Sequence, residues 1–340
     1  MQVVIFVLLR IYKFMEYSFF GTCANDTFHT KNVIRNILSQ TISPKEIILV
    51  DSGDINQYKE LQNYFENSDI KLIYLFKKLS RVKALNFAID NISSEFCMRF
   101  DTRSRFASNY AEEALKILQD KKREVYFVGG VPKVVPEDSS RSAKICSEVF
   151  GRPYVFFYPR HRKIGYEGFS SSIYLGCFNT NILKDIKYRE DVNLISEDSL
   201  LSADYSERNY KLWISSSIKL KYISRSTLIN ILRLFNTYGF CRLNTIITSG
   251  KFHSKKRYIR LLIILIGYFF ITYKFFPSSI LFFPIIIFLV NSFGEITCKK
   301  NSKSLIFPLL ACFCQLSWFL GFIWAVLVNF RIKKLNSNFI

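Results

Sequence analysis

Short apolar runs alternate with amphipathic segments from residue 17 to residue 101, and this alternation limits the chain to few folds. The apolar runs predict strands at 17–22, 46–50, 71–76 and 96–101, and the segments between them predict helices at 29–40, 58–65 and 81–91. The connections between these elements are short. Strands that alternate with helices in this way form a parallel sheet with helices on both faces. The sequence therefore predicts an α/β fold for this part of the chain.

Three of these strands end at carboxylate or amide side chains. Asn25 and Asp26 follow the first strand, Asp51 follows the second, and Asp101 ends the fourth. The carboxyl ends of parallel strands meet at one edge, where open α/β sheets bind their ligands. Asp101 stands among three arginines in the stretch 98–106, so we expect it to stay ionised and able to hold a metal ion or a sugar hydroxyl. A single such Asp more often begins a solvated loop, but three in register predict a ligand crevice.

The patterning after residue 101 is less regular. It predicts a helix at 110–119, a strand at 125–131, another strand at 213–222 and a helix at 228–242. Residues 132–168 are basic and rich in Pro and Gly, and we interpret them as a loop-rich acceptor side, with residues 168–178 as a pocket wall. Ser196 is a candidate N-cap for a helix whose first turn holds Glu197 and Asp198, where the helix dipole favours acids. Alone, those two acids are more typical of a helix start than of a functional site.

Charge and cysteine content favour some classes of protein over others. The formal net charge of +20 is compatible with nucleic acid, an anionic lipid surface or a phosphate-bearing substrate. The chain has no RNA-binding signature, so nucleic acid is the weakest of these. Its eight cysteines form no CxxC pair and no zinc spacing, and we interpret them as buried apolar residues in a reducing compartment. We expect no secretory signal, because the apolar run at 3–9 is short and lacks a basic start.

Apolar residues dominate the chain from residue 258 to residue 330, which indicates membrane. Three segments stand out, at 259–273, 280–293 and 305–330, and only the last is long enough to span a bilayer. Basic clusters lie at 255–260, 299–303 and 331–334. The positive-inside rule places all three clusters in the cytoplasm, whereas a hairpin followed by one span places the last cluster outside. The sequence leaves a hairpin, an interfacial element and re-entrant packing open.

The order of these motifs resembles glycosyltransferase family 2, the inverting nucleotide-sugar transferases of GT-A fold. The matching motifs are Asn25-Asp26, Val50-Asp51, Lys83-Ala-Leu-Asn86, Arg99-Phe-Asp101, Glu197-Asp198 and Arg225-Ser-Thr-Leu. The pattern is most similar to the succinoglycan-type exopolysaccharide glucosyltransferase subgroup, which also resembles this chain at 238–242 and 316–322. Each motif alone is weakly specific, but their order and spacing together are fairly specific.

The resemblance implies a fold and a domain organisation. The fold would be GT-A, an α/β, Rossmann-like, mixed but mainly parallel sheet with helices on both faces, followed by C-terminal membrane helices. Residues 1–14 would be an N-terminal extension, residues 15–250 the glycosyltransferase domain, and residues 251–340 a membrane-associated or transmembrane region. The catalytic domain would lie on the cytoplasmic side of the inner (plasma) membrane.

The resemblance also implies roles for individual residues. Asp198 would be the general base that deprotonates the acceptor hydroxyl, with Glu197 as its catalytic neighbour. Asp101 would hold a divalent cation, Mg²⁺ or Mn²⁺, on the donor diphosphate. The other donor-binding residues would be Asn25, Asp26, Asp51, Lys83, Asn86 and Arg103, and the residues toward the acceptor or diphosphate would be Arg225, Arg233 and Arg242. Without the resemblance, Lys83 and Asn86 are more typical of residues that cap or line a helix. The last three arginines could equally form a solvated helix face that meets lipid headgroups.

Two departures from the family pattern affect the cation. The second carboxylate of the family's Asp-x-Asp motif is Arg103 here, and the acidic pair after Val50 is Asp51-Ser52. An arginine cannot ligate a metal. Either Asp101 holds the cation with fewer protein ligands, or Arg103 itself pairs with the phosphates.

The implied function is transfer of a hexose, glucose from UDP-glucose, to a lipid-linked saccharide, with inversion at the anomeric carbon. The product would belong to bacterial exopolysaccharide, capsule or lipopolysaccharide-type polysaccharide biosynthesis. Two alternatives remain: a processive polysaccharide synthase, which typically has more spans and a fuller product motif than 238–242 offers, and a non-catalytic membrane protein of glycan assembly. A transporter is excluded, because it would have no use for the large strand–helix region.

Overall fold

The structure, a computed structural model, describes residues 16–65, 72–156, 159–190, 197–249, 273–274, 282–297 and 305–337. The chain divides by packing into two compact units. The first consists of Met1–Val135, Pro159–Asn193 and Glu197–Ile223, and the second of Pro136–Tyr158, Leu194–Ser196 and Ser224–Ile340. The domain boundary expected at residue 250 stays a prediction.

The first unit is built on an eight-stranded mixed sheet of strand order β3-β2-β1-β4-β9-β6-β10-β8. Strands β1 to β4 pair in parallel, as the strand–helix alternation predicts, and β9 lies antiparallel between β4 and β6. The strands are β1 (Tyr17–Cys23), β2 (Glu46–Asp51), β3 (Leu72–Phe76), β4 (Phe96–Asp101), β5 (Ser104–Phe106), β6 (Val125–Gly129), β7 (Pro132–Val135), β8 (Gly168–Phe169), β9 (Cys177–Asn179), β10 (Lys211–Ile214) and β11 (Leu220–Ile223).

Helices cover both faces of this sheet, and each face has its own apolar core. On one face Phe19 of β1 packs with Ile34 and Ile37, and on the other Phe20 packs with Leu85 and Ile89. Alternate residues of a strand point to opposite faces, so β1 supplies both cores. The helices of the first unit are α1 (Thr27–Leu38), α2 (Ile55–Phe65), α3 (Arg81–Asp90), α4 (Tyr110–Leu118), α6 (Thr180–Ile186) and α7 (Glu197–Glu207). The predicted α/β architecture with helices on both faces is confirmed.

A second, three-stranded sheet of order β5-β11-β7 corrects two of the predicted strands. The strand predicted at 213–222 is two strands in different sheets, β10 and β11. The chain turns between them at three serines, where the Glu167 carboxylate accepts hydrogen bonds from the Ser216 amide and the Ser215 hydroxyl. The strand predicted at 125–131 likewise ends at Gly129. A Cβ on Gly130 would lie 1.7 Å from the Ile218 carbonyl oxygen, so the close approach of these two backbone segments requires glycine at position 130.

The second unit is helical in its described parts, and one of its helices corrects the prediction for 132–168. That region was predicted as loop, but it holds helix α5 (Arg141–Phe150), whose N-cap Ser140 accepts a hydrogen bond from the Ala143 amide. The other helices are α8 (Leu228–Ser249), α9 (Phe282–Thr297) and α10 (Ile306–Ser337). Helices α9 and α10 contain the apolar segments predicted at 280–293 and 305–330, while the segment at 259–273 lies almost wholly outside the described residues.

Helices α8 and α10 run parallel and in constant register. The Ser317 hydroxyl donates to the Leu232 carbonyl (2.7 Å), and Asn329 donates to Asn244 (2.8 Å), and both pairs are 85 residues apart in the chain. Two glycines let the backbones approach: a Cβ on Gly239 would lie 1.9 Å from the Trp318 carbonyl oxygen, and a Cβ on Gly321 would lie 1.9 Å from the Asn236 carbonyl oxygen. Contact of this kind between backbones is typical of closely packed helices.

A buried ion pair joins α9 to the chain that follows α5. Arg152, 2% exposed, donates to Glu295, 6% exposed, from both Nε (2.9 Å) and Nη2 (3.0 Å). The Tyr154 hydroxyl donates to the same carboxylate, and the Arg152 guanidinium lies over the ring of Phe307. The seven described cysteines are free and buried, which confirms their interpretation as buried apolar residues.

Candidate active site

The carboxyl ends of β1, β2 and β4 lie level with one another at one edge of the large sheet. Cys23 pairs with Asp51 across β1 and β2, and Thr22 pairs with Asp101 across β1 and β4. The Thr102 hydroxyl donates to Asp26 (2.9 Å), which joins the end of β4 to the chain that follows β1. The predicted strand-end residues are therefore neighbours at this edge, as the register argument requires.

A buried arginine, Arg99, lies at the centre of the candidate site. Its side chain is fully buried, although it belongs to a strand of otherwise mainly apolar residues. Nη2 donates to Asp101 (3.2 Å) and to Glu197 (2.9 Å), while Nη1 donates to Asp198. Nη1 also donates to the Tyr188 hydroxyl (3.1 Å). One guanidinium therefore holds the end of β4 against the first turn of α7.

A second arginine, Arg81 at the start of α3, completes this group. Its Nη2 donates to both oxygens of Asp101 (3.0 Å each), and its Nε donates to Glu197 (2.8 Å). Its side chain is 46% exposed, whereas that of Glu197 is 5% exposed. We call Arg81, Arg99, Asp101, Glu197 and Asp198 the arginine–carboxylate cluster. It has two positive charges, and two or three negative charges depending on the protonation of Asp198.

The carboxylates of the cluster differ in proton affinity. Burial raises the pKa of Asp101 and of Glu197, but the charges of Arg81 and Arg99 outweigh it, and both pKa values lie below the usual range. Burial also raises the pKa of Asp198, where Arg99 opposes it and the charges of Glu197 and Asp101 add to it, with a net increase to about 7. Asp198 is thus the carboxylate of the cluster best suited to exchange a proton near neutral pH.

Asp198 also has an oxygen available for a substrate. Arg99 donates to Oδ1, while Oδ2 accepts no hydrogen bond from any residue that the structure describes. The side chain is 27% exposed. Glu197 differs, since its Oε1 accepts from both arginines and the residue is nearly inaccessible. Glu197 therefore holds the arginines in place, and Asp198 can reach an incoming hydroxyl.

Asp51 is fully buried, and its carboxylate organises the loop that follows β2. Oδ1 accepts from the Gly53 amide (2.8 Å), and both oxygens accept from the Gln57 side-chain amide (2.9 and 3.0 Å). The Tyr74 hydroxyl donates to Oδ2. Asn25, which has a positive φ of 52°, accepts from the Asp54 amide (3.1 Å). These bonds fix the shape of the loop beside Asn25.

The remaining predicted donor-side residues occupy different environments. Lys83 is exposed on α3. Asn86 is buried and bonds the Tyr188 backbone, donating to its carbonyl (2.8 Å) and accepting from its amide (2.9 Å). Through Tyr188 it acts on Arg99, so its contact with the site is indirect. The carbonyl of Arg103 accepts from the Ile223 amide (2.9 Å), which ties the turn after β4 to β11.

Arg225, Arg233 and Arg242 belong to the second unit. Arg225 precedes α8, and the other two lie on that helix, with Arg233 exposed. The candidate N-cap Ser196 lies outside the described residues.

Sequence reasoning missed three residues of the site: Arg81, Arg99 and Tyr188. The signal for Arg99 was present, because an arginine within an apolar strand must be paired if it is buried. Its partners, however, lie about a hundred positions away, at Glu197 and Asp198. The pocket wall predicted at 168–178 contributes Tyr174, whose buried hydroxyl has no hydrogen-bond partner in the described ranges.

Asp101 fits a divalent cation as a single protein ligand. Its carboxylate is ionised, 20% exposed and made of the hard oxygen donors that Mg²⁺ and Mn²⁺ prefer. A carboxylate has about four lone-pair positions, and the arginines occupy three of them. Arg81 donates to both oxygens, so a cation at Asp101 would have to displace this half-exposed guanidinium. Among the residues that the structure describes, no three His, Cys, Asp or Glu side chains are grouped so as to hold a metal ion.

Comparison with known proteins gives one family and several related structures. Residues 30–182 match the family described as glycosyl transferase family 2. No curated protein matches the chain. The mannosyltransferase PcManGT from Pyrobaculum calidifontis, solved in complex with GDP-Man and Mn²⁺, has a TM-score of 0.57 and 14% sequence identity, covering 91% of this chain and 87% of that one. S. aureus TarS 1–349 has a TM-score of 0.46 and 13% identity, covering 91% and 89%. The first likeness shows a GT-A-like fold.

Proposed function

We propose that this chain, a glycosyltransferase with a glycosyl transferase family 2 domain, transfers a hexose to a lipid-linked saccharide. The hexose would come from a nucleoside diphosphate sugar, and its anomeric carbon would be inverted. The donor we propose is UDP-glucose. The observation that carries the proposal is the arrangement of Asp198, whose Oδ2 is available and whose pKa is raised to about 7, at the sheet edge that holds Asp101.

Asp198 is the general base of the proposed reaction. Oδ2 accepts the proton of the acceptor hydroxyl while that oxygen attacks the anomeric carbon, and the bond from that carbon to the diphosphate breaks. A base with a pKa near the working pH combines a useful ionised fraction with a useful proton affinity. The Arg99 bond to Oδ1 fixes the carboxylate and stabilises its ionised form.

Asp101 and the arginines serve the departing diphosphate. Negative charge develops on the diphosphate as it leaves, and positive groups that are already in place stabilise it. Arg81 and Arg99 supply such charge at the carboxyl edge of the sheet. Arg103 is proposed as an additional phosphate contact, and Asn25, Asp26 and Asp51 as the nucleoside end of the site. Lys83 and Asn86 are proposed to support donor binding, Asn86 through Tyr188. Arg225, Arg233 and Arg242 are proposed to contact the acceptor or the diphosphate.

A divalent cation, Mg²⁺ or Mn²⁺, is proposed to bind through Asp101 and the donor's own diphosphate oxygens. When bound, it would neutralise charge on the leaving diphosphate. The Mn²⁺ and GDP-Man of the Pyrobaculum mannosyltransferase support this choice. The arginines already supply positive charge at the same place, so we expect a cation to raise the rate without being indispensable to donor binding.

A lipid-linked acceptor and attachment to the cytoplasmic face of the inner membrane are also proposed. The stretch Ile306–Asn329 of α10 is long and apolar enough, by length and composition, to cross a bilayer, which is weak support by itself. An acceptor carried on a lipid would explain why one chain combines the sheet edge with apolar helices. The pathway proposed is exopolysaccharide, capsule or lipopolysaccharide-type assembly.

The proposed activity can be tested by incubating the full chain, in membranes, with a panel of radiolabelled nucleotide sugars and with lipid extracts as acceptors. We expect transfer from UDP-glucose to a lipid fraction, and a loss of at least a hundredfold in Asp198→Asn. Asp185→Asn is the matched control, because that carboxylate is exposed and its ion pair within the described chain is with Arg208, away from the arginine–carboxylate cluster. Absence of transfer from every donor would refute the proposal, and parallel reactions with EDTA and with Mn²⁺ test the cation.

A further inference from the structure

We propose that Tyr174 is a positioning residue for donor binding: its hydroxyl donates a hydrogen bond to Asp101 once the donor diphosphate attracts Arg81 away from that carboxylate. The inference rests on the proposed function and adds a residue through which the site accommodates the donor. Three observations in the first unit support it. They are the place of Tyr174 in the fold, its buried hydroxyl, and the hydrogen bonds that Asp101 loses when Arg81 moves.

Tyr174 belongs to a short segment that is fastened at both ends to the elements of the arginine–carboxylate cluster. On one side, the Arg99 amide donates to the Gly176 carbonyl (3.0 Å), which continues the antiparallel pairing of β4 with β9. On the other side, the Ile173 amide donates to the hydroxyl of Ser202 on α7 (3.4 Å). Tyr174 therefore lies between β4 and α7, the two elements that hold the carboxylates of the cluster.

A second tyrosine holds the ring of Tyr174 in place. Tyr222 of β11 contacts it edge to face, with ring centroids 5.9 Å apart and an interplanar angle of 88°. Tyr222 pairs with Ser104 of β5, and the Ser104 hydroxyl donates to the carbonyl of Asp101 (2.6 Å). The ring of Tyr174 is therefore held close to the turn that begins at Asp101.

The Tyr174 hydroxyl is buried and has no hydrogen-bond partner among the residues that the structure describes. Burial raises its pKa well above the usual value, and the charge of Asp101 adds to this more than the charge of Asp198 does. The hydroxyl therefore keeps its proton and can only donate it to a neighbouring acceptor through a hydrogen bond. A buried donor without a partner costs stability, which fits a contact that forms in another state of the site.

Asp101 is fully occupied while Arg81 is in place. Nη2 of Arg81 donates to both carboxylate oxygens (3.0 Å each), and Nη2 of Arg99 donates to Oδ1 (3.2 Å). Arg99 is fully buried, whereas the side chain of Arg81 is 46% exposed. A guanidinium binds phosphate oxygens with strong, often bidentate hydrogen bonds. Arg81 is therefore the arginine of this group that an incoming diphosphate can attract.

Movement of Arg81 leaves Asp101 short of hydrogen bonds. Oδ2 then has no donor among the described residues, and Oδ1 keeps only Arg99. The side chain of Asp101 is 20% exposed, and a largely buried carboxylate oxygen without a donor is costly. The Tyr174 hydroxyl supplies the missing donor. The free energy that this hydroxyl costs in the free protein is thereby recovered when the donor binds.

Unfolding temperatures of the full-length protein test this contact without any substrate. In the wild-type background, Tyr174→Phe should leave the unfolding temperature unchanged or raise it. In an Arg81→Met background Asp101 is already released, so the same substitution should lower the unfolding temperature by about 2–4 °C. Tyr205→Phe is the matched control, because its hydroxyl is also buried without a partner in the described chain but lies in an apolar core of the sheet. Equal effects of Tyr174→Phe in both backgrounds would overturn the proposal.

Binding of UDP to the full-length protein gives a second measurement, which does not need the Arg81 variant. We expect Tyr174→Phe to bind UDP about tenfold more weakly, because the complex loses one hydrogen bond to a charged group, while Tyr205→Phe binds it normally. In an Asp101→Ala background, Tyr174→Phe should have no further effect. A tenfold loss that persists there would overturn the role through Asp101. Absence of UDP binding to the wild type would refute the proposed donor, and the unfolding temperatures would still decide on the contact between Tyr174 and Asp101.

Discussion

Replacing Glu197 with glutamine is expected to move the acid limb of the pH–rate profile to lower pH. Asp198 must be ionised to accept the proton of the acceptor, so the rate should fall as the pH drops below the pKa of this residue. That pKa is raised to about 7 by burial and by the charges of Glu197 and Asp101, against Arg99. Removing the negative charge next to the base takes away one of the causes that raise its pKa.

The size of the effect follows from the titration of a single group. With a pKa of about 7, the ionised fraction of Asp198 is about one half at pH 7 and about one tenth at pH 6. A single neighbouring charge at a partly screened site shifts a pKa by about one unit. In Glu197→Gln the fraction at pH 6 should then rise to about one half, a roughly fivefold gain relative to the plateau. The plateau itself should be lower, because Glu197 also holds Arg81 and Arg99.

The measurement is kcat/KM for transfer between about pH 5 and pH 9, fitted for the midpoint of the acid limb. The midpoint is the informative quantity, since a lost structural bond lowers the plateau without moving it. Glu60→Gln is the control, because that exposed carboxylate pairs with Lys31 on the surface. An unchanged midpoint in Glu197→Gln, or a move to higher pH, would refute the assignment of Asp198 as the base whose charge Glu197 opposes.

Three further predictions concern stability. Glu295→Gln should cost about 1–3 kcal/mol, because it leaves the buried Arg152 with only the half-exposed Glu148 as a counter-charge. The double variant with Arg152→Met should recover most of that loss in denaturant unfolding, and additive costs would contradict this. Gly321→Ala should cost about 2 kcal/mol or more, because the alanine Cβ would lie 1.9 Å from the Asn236 carbonyl oxygen. The loss is measured as a lower unfolding temperature, and unchanged stability would argue against the close contact between α8 and α10. Tyr174→Phe should leave the free energy of unfolding unchanged or increase it by about 1 kcal/mol, because the hydroxyl removed is buried and has no hydrogen-bond partner within the described chain. A clear loss of stability would mean that the hydroxyl has a partner.

The parts of the fold that depend on local pattern could be predicted from the sequence. Strands β1 to β4 and the helices between them follow from apolar periodicity, which acts over about ten residues at a time. Asp51 and Asp101 lie side by side at one edge of the sheet, as expected because the carboxyl ends of parallel strands meet there. These predictions succeeded because each needed only the chain within one strand–helix unit.

The parts that depend on contacts between distant positions could not be predicted. The partners of Arg99 at Glu197 and Asp198 lie 98 and 99 residues away, and no local pattern indicates which strand residue they will meet. The division of 213–222 into β10 and β11 depends on Glu167, which is likewise remote in the sequence. Basic composition misled the prediction for 132–168, because the solvated residues of α5 were taken for a loop.

The parallel pairing of α8 and α10 has a consequence for biosynthesis. Ribosomes extend a chain by about 5–20 residues per second, so the face of α8 that meets α10 waits about 4 to 17 seconds for its partner to be made. During this interval Gly239 and its neighbours expose a surface shaped for another backbone, and a nascent chain with such a surface is prone to wrong contacts. The glycine contacts would then form last, as the step that locks the unit.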